Sequence, residues 1–127
     1  MSGTHRETAT VIPGAVERDA DEFSAIEARL HSFAQSRNWL RHHSPKNLSM
    51  SLAIEVGELL ECFQWLTDDQ ARKVKYQPAK MAEIRSELAD VLIYLIHLAD
   101  ALDVDLLAAA SDKIEINEGR FPPKPHS

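Results

Sequence analysis

Cysteine is nearly absent. Cys62 stands alone, which excludes an intramolecular disulfide and any paired-cysteine zinc or redox motif. Glycine is scarce, at 4 of 127 residues. Runs of β-branched residues are short, and no stretch alternates apolar and polar for more than a few positions, so nothing supports a sheet. The longest strongly apolar stretch, Val91 to Leu102, is interrupted by Tyr94, His97 and Asp100. It falls short of the ~20 apolar residues a membrane span requires. A basic excess is missing too: 14 Lys+Arg stand against 20 Asp+Glu, for a net charge of −6. That balance argues against a nucleic-acid polymer as partner. It leaves a nucleotide substrate open, because divalent cations reverse local charge. The first 20 residues carry acids and no apolar core, unlike a secretory signal. The expectation is a soluble, cytoplasmic, single-domain chain. At this length roughly 65–70% of the unfolded surface can be buried.

What remains is helical spacing. Residues 1–21 are polar, aperiodic and interrupted by Pro13-Gly14, and read as an N-terminal tail. A first helix is predicted from about Asp21 to Arg37, with Phe23, Ile26, Leu30 and Phe33 on one face. Asn38 to Asn47 reads as a loop, because Pro45 disfavours helix before it. Asn47 is the expected N-cap of a second helix, Leu48 to Trp65. Thr67 to Pro78 is charged and aperiodic, with room for one short helical turn. A third long helix spans about Ala79 to Leu102, and a fourth spans Asp105 to Glu118, with Gly119 as its stop. The helical domain covers 22–120, and the prolines after Phe121 make 121–127 an extended tail. The fold class is all-α, resembling a four-helix bundle.

The two central helices carry the signal. On the second, Leu48, Leu52, Val56, Leu59 and Phe63 share one face at ~100° per residue. On the third, Ile84, Leu88, Val91, Leu92, Leu95, Ala99 and Leu102 make the expected core face. Ala89, Ile93 and Ile96 form a second apolar flank. A helix apolar on two sides is buried on two sides, which in so short a chain implicates a second copy.

Beside these stripes lie two carboxylate pairs, each one turn apart: Glu55-x-x-Glu58 and Glu87-x-x-Asp90. Twenty-eight residues separate Glu58 from Glu87, enough for an antiparallel return that lets the pairs face each other. One such pair alone is ordinary on a solvated helix face. Asp90 is different, because it sits inside Leu88-Ala89-Asp90-Val91-Leu92-Ile93, where a carboxylate is costly unless paired or metal-bound. Four facing carboxylates repel and raise one another's pKa values. Hard divalent cations, Mg²⁺ or Mn²⁺, relieve that repulsion with all-oxygen ligation. Glu61 extends the acidic run but lies farther from the core stripe.

Other candidates are weaker alone. Trp39 and Trp65 flank the second helix, as core plugs or as flat walls for a nucleobase. His42 and His43 read as loop residues, one of them within reach of a base edge. His31 and His97 read as polar-face histidines, and Cys62 as a small packed residue. Lys113 and Asn117, one turn apart, and Arg120 are phosphate donors only if an acidic metal site lies nearby. No histidine lies three residues after a glutamate, which disfavours a di-iron carboxylate bundle.

The two pairs and their spacing resemble the metal signature of the MazG-like all-α nucleoside triphosphate pyrophosphohydrolases. Further segments resemble the dCTP pyrophosphatase branch: Asn38-Trp39, His43, Pro45-Lys46-Asn47-Leu48, Glu55-Val56-Gly57-Glu58-Leu59 and Phe63-Gln64-Trp65. So do Leu88 to Leu95 and Lys113-Ile114-Glu115-Ile116-Asn117 through Arg120-Phe121-Pro122. The likeness runs from about residue 23 to 123. It implies Glu55, Glu58, Glu87 and Asp90 as Mg²⁺ ligands, and Lys113, Asn117 and Arg120 as phosphate-binding residues. Trp39, His43, Asn47, Trp65 and Tyr94 would shape the nucleoside pocket. It also implies a homodimer or homotetramer with pockets built from more than one subunit. A base-contacting histidine is implied in the first helix, where this sequence has Leu30, with His31 adjacent. The implied reaction is dCTP + H₂O → dCMP + pyrophosphate, a house-cleaning of the nucleotide pool. Glu58 or Glu55 would orient the water or accept its proton. The alternatives are the same chemistry on dUTP or another dNTP, and a non-catalytic helical module.

Overall fold

The computed structural model describes residues 15–125, with side chains from residue 21. Every regular element among them is helical: α1 (Ala15–Ser36), α2 (Pro45–Glu61), α3 (Asp68–Arg72), α4 (Pro78–Ala101) and α5 (Leu106–Arg120), with 3₁₀ turns at Leu40–His42 and Val74–Tyr76. The α1 helix begins six residues before the predicted Asp21, so residues 15–20 belong to it and not to a tail. The rest of the predicted tail, and the chain's last two residues, lie outside the described residues.

Local chemistry sets the boundaries. Asn38 adopts φ 60°, in the left-handed region. Its N–H donates to the Gln35 carbonyl and that of Trp39 to the Ala34 carbonyl, which closes α1. The N-cap of α2 is Ser44 and not Asn47. Ser44 Oγ accepts from the Asn47 N–H at 3.1 Å, and Pro45 occupies the first helical position, where a missing N–H costs nothing. The Asn47 side chain instead donates to the His42 carbonyl, at 3.1 Å. Thr67 and Gln70 form a reciprocal capping box that starts α3 inside the predicted connection. Asp105 caps α5 by accepting from the Ala108 N–H, at 3.0 Å. Gly119 lies within α5 and does not stop it; the helix runs on to Arg120.

The α2 and α4 helices form the central hairpin. Leu48 lies beside Tyr94 at one end, and Cys62 packs with Ile84 at the other, so the two run antiparallel. Cys62, Val74 and Ile84 form one core, covered by Leu59, Phe63, Leu66 and Met81. Toward the other end Ala34, Leu48, Ile96 and Ala99 are buried, where α1 packs on α4. No residue of α5 is buried, and the helix makes only slight contact with the other elements.

One expectation about packing is overturned. On α4 the stripe of Leu88, Leu92, Leu95 and Leu102 is 37–52% exposed, while Ile96, from the supposed flank, is 2% exposed. Val56 on α2 is likewise exposed. Both sides of α4 are apolar, and burial is divided between them: Ile84 and Ala99 of the expected core face are buried with Ile96 of the flank, whereas Ala89 of the flank is exposed.

Candidate active site

The central hairpin brings the carboxylate pairs together. Carboxylate oxygens of Glu55, Glu58 and Glu87 all lie within 4.8 Å of one another. The 3.6-residue turn of α2 places Glu55 and Glu58 on one side, and the antiparallel return of α4 places Glu87 opposite them. Asp90 lies outside that trio, half-buried one turn farther along α4. The Glu55 carboxyl is pushed above its usual range, first by lost hydration, then by the charges of Glu58, Asp90 and Glu87 and a hydrogen bond with Glu58. Glu87 is raised in the same way, by lost hydration and then by Glu58, Asp90, Glu83 and Glu61. On the far side, Glu58 and Glu87 line a recess of about 290 Å³ with Glu61, Cys62, Lys80 and Glu83. Lys80 Nζ is held 3.3 Å from Glu83 there.

Asp90 links this cluster to the main cavity, of about 570 Å³. Its walls are apolar and aromatic. Ile26, Leu30 and Phe33 come from α1, Trp39 from the following turn, and Ile93 and Tyr94 from α4, with Arg29, His43, Asp90 and His97 as its polar members. Phe33 and Trp39 meet edge to face at 5.5 Å. An adjoining recess of about 340 Å³ is lined by Trp39, His42, His43, Asn47, Leu48, Ser51 and Tyr94. Burial pushes the His43 imidazole below its usual pKa, with His42 adding to the shift and Asp100 opposing it. His97 is lowered first by burial and then by His43 and His31, again against Asp100.

Trp39, His43 and Tyr94 therefore share a cavity with Asp90, and Asn47 lines the recess that adjoins it. Trp65 does not: it is 84% exposed just beyond the end of α2 and lines none of these cavities. Lys113, Asn117 and Arg120 also stay away from the carboxylates within one chain. Their helix stands off from the bundle, and Arg120 stacks over Phe121, 5.0 Å from its ring centroid. His97, read as a polar-face residue, is 7% exposed against the cavity. Its only signal in the sequence is its place seven positions after Asp90 on one helix, which puts it on the same face two turns on. Leu30 lines the cavity, whereas its neighbour His31 turns away to pair with Asp100.

Comparison with known proteins matches this arrangement. The profile of the MazG-like family covers residues 50–125. The chain is 46% identical to human dCTP pyrophosphatase 1 over 114 residues, 89% of this chain and 67% of the relative. Against the rat dCTP pyrophosphatase 1 the identity is 45% over 95 residues, 74% of this chain and 56% of the relative. The chain thus spans about two thirds or less of the length of these two relatives. A crystal structure of a pyrophosphatase from Archaeoglobus fulgidus superposes with a TM-score of 0.74 at 38% identity, covering 80% of this chain and 94% of that one. All four paired carboxylates fall within the matched segment, and the chain belongs to the MazG-like family, in the branch of the dCTP pyrophosphatases.

Proposed function

We propose that the chain is a Mg²⁺-dependent nucleotide pyrophosphohydrolase that converts dCTP, or a modified dCTP, to dCMP and pyrophosphate. The observation that carries this reading is the trio of carboxylates within 4.8 Å, joined through Asp90 to an aromatic cavity. The trio suits a hard divalent cation. Its donors are all oxygen, and the raised carboxyls of Glu55 and Glu87 mark a negative charge in need of compensation. Glu55, Glu58, Glu87 and Asp90 would hold Mg²⁺, with Mn²⁺ as a substitute. When bound, such cations neutralise the triphosphate and acidify a water for attack at the α-phosphorus.

The chain's own groups supply the rest. Trp39, Tyr94, His43 and Asn47 seat the nucleoside beside Asp90. Glu58, or its neighbour Glu55, orients the attacking water and takes its proton. Lys113, Asn117 and Arg120 hold the phosphates and the departing pyrophosphate, and Trp65 closes the base pocket. These four reach the site from another copy in a dimer or tetramer. Support for that assembly comes from the exposed apolar stripe of α4 and from Ile114 and Ile116 on α5, both more than half exposed. No helix among the described residues is long and apolar enough to cross a membrane. A cytoplasmic house-cleaning role, without a nucleic-acid polymer as partner, belongs to the same reading.

The test is pyrophosphate release from each dNTP, dUTP and 5-methyl-dCTP, with Mg²⁺ and with EDTA. Metal-dependent release concentrated on cytosine nucleotides is expected. Release from dUTP instead would keep the metal site and reassign the base, a reading favoured by the apolar Leu30 in the cavity wall. No release from any of them would overturn the assignment.

A further inference from the structure

Among the described residues one polar side chain is buried, His97, at 7% exposure. It lies on α4 ten residues beyond Glu87, so about 15 Å farther along the helix. Its ring lines the main cavity with Leu30, Phe33, Trp39, His43 and Tyr94. The centroid of the His43 ring is 4.7 Å away, tilted by 60°, and that of Tyr94 is 6.1 Å away. No hydrogen bond to the His97 ring is made among the described residues. Asp100, the carboxylate whose charge acts on His97, is engaged with His31 at 2.8 Å.

A buried imidazole without a partner is costly, and such groups are normally satisfied by water or a ligand. The remaining walls make the point sharper. An apolar, aromatic pocket takes any flat ring and discriminates poorly between bases. A buried group that hydrogen-bonds one base leaves itself unpaired against the wrong one, and so rejects it. His97 is placed to be that group. Burial holds both imidazoles below their usual pKa, so at neutral pH each presents one N–H and one lone pair. The two nitrogens of the His97 ring point apart, so one of them faces the base: a lone pair there takes cytosine's amino hydrogen and an N–H meets its ring nitrogen, where uracil presents a carbonyl oxygen and an N–H instead.

We propose that His97 is a specificity-determining residue, whose imidazole hydrogen-bonds the polar edge of a nucleobase seated against Trp39 and Phe33. The inference rests on the proposed nucleotide pyrophosphohydrolase reading. It gives this chain a base contact on α4, while Leu30 contributes only apolar surface from α1.

The test compares His97→Leu, which keeps bulk but no polar atom, with His97→Gln, which restores a donor and an acceptor. Steady-state kinetics on dCTP and dUTP with Mg²⁺ are read beside thermal melting and calorimetric binding of dCMP. For His97→Leu the expected result is a rise in KM for dCTP and a loss of dCMP affinity, each on the order of tenfold. The dCTP-to-dUTP preference collapses, kcat changes far less, and His97→Gln recovers part of the loss. Unchanged KM and preference in a folded His97→Leu would overturn the inference. So would an equal fall in kcat on both substrates with KM unchanged, the mark of a merely structural role. If His97→Leu does not fold, the imidazole NMR signals of the wild-type chain decide. Shifts of the His97 nitrogens on adding dCMP support the contact, and their constancy overturns it. A wild-type chain that hydrolyses no dNTP defeats the functional reading and this inference together. Wild-type turnover of dCTP with an indifferent His97→Leu defeats the inference alone.

Discussion

His31 Nδ1 lies 2.8 Å from Asp100 Oδ2, tying α1 to the last turn of α4. The bond looks like a clamp on the cavity, but both side chains are nearly half exposed, at 46% and 45%. Exposed pairs of this kind contribute about 0.2–1 kcal/mol. A double-mutant cycle with His31→Ala and Asp100→Ala, read by urea unfolding, should return a coupling in that range. It should shrink as salt is raised. The α1 helix is held mainly by apolar packing around Ala34, which is wholly buried.

Neutralising one carboxylate of the cluster should separate stability from activity. In Glu58→Gln or Glu87→Gln the metal-free chain loses part of its charge repulsion, and its melting temperature should hold or rise. Turnover should fall by at least about 100-fold, since even groups that only support metal ligands cost 10–100-fold when removed. Full activity in Glu58→Gln would remove it from the metal site.

The raised carboxyls of Glu55 and Glu87 fix the sign of a pH effect. A carboxyl whose pKa is higher folded than unfolded keeps its proton longer in the native state. Between the two pKa values, stability therefore falls as pH rises. These two groups penalise the metal-free fold at neutral pH and cease to do so below the ordinary carboxylate range. Mg²⁺ should raise the melting temperature at pH 7.5 and lose that effect near pH 5, where protons compete for the same oxygens. Scanning calorimetry at the two pH values, with and without Mg²⁺, checks this.

The buried imidazoles act in the opposite direction. His43 and His97 have folded pKa values below the ordinary 6.5, so the unfolded chain binds protons first as pH falls. Their contribution is fully retained above pH 6.5 and declines as the pH drops toward the folded values. A His43→Leu/His97→Leu chain should show a flatter stability profile below pH 6.5 than the wild type, measured by chemical denaturation.

Much of this was legible in the residue pattern, for reasons that differ between elements. The helices are written in apolar spacing, and the carboxylate pairs stand out because Asp90 interrupts an apolar run. The cap of α2 was misplaced by three residues, because Asn47 is a good cap type while the Ser44-Pro45 step is a better one. The facing of α4 was not legible. Apolar periodicity reports burial by any partner, and it does not say whether Leu92 or Ile96 meets the same chain. His97 was placed on a polar face, because its register two turns after Asp90 reports the face and not the burial. Its burial only emerges once α1 and the turn around His43 close over it.

In the proposed assembly, the stand-off of α5 would divide the machinery between polypeptides. The carboxylates all belong to one hairpin, whereas Lys113, Asn117 and Arg120 ride on a helix with no buried residue of its own chain. Two inactive variants, Glu58→Gln and Lys113→Ala, would then carry complementary defects. Mixed after gentle dissociation and reassembly, they should regenerate some intact sites and recover measurable turnover that neither has alone. The same division would make dilution an inhibitor: at concentrations below the dissociation constant of the assembly the chain would still bind metal but lose its phosphate grip.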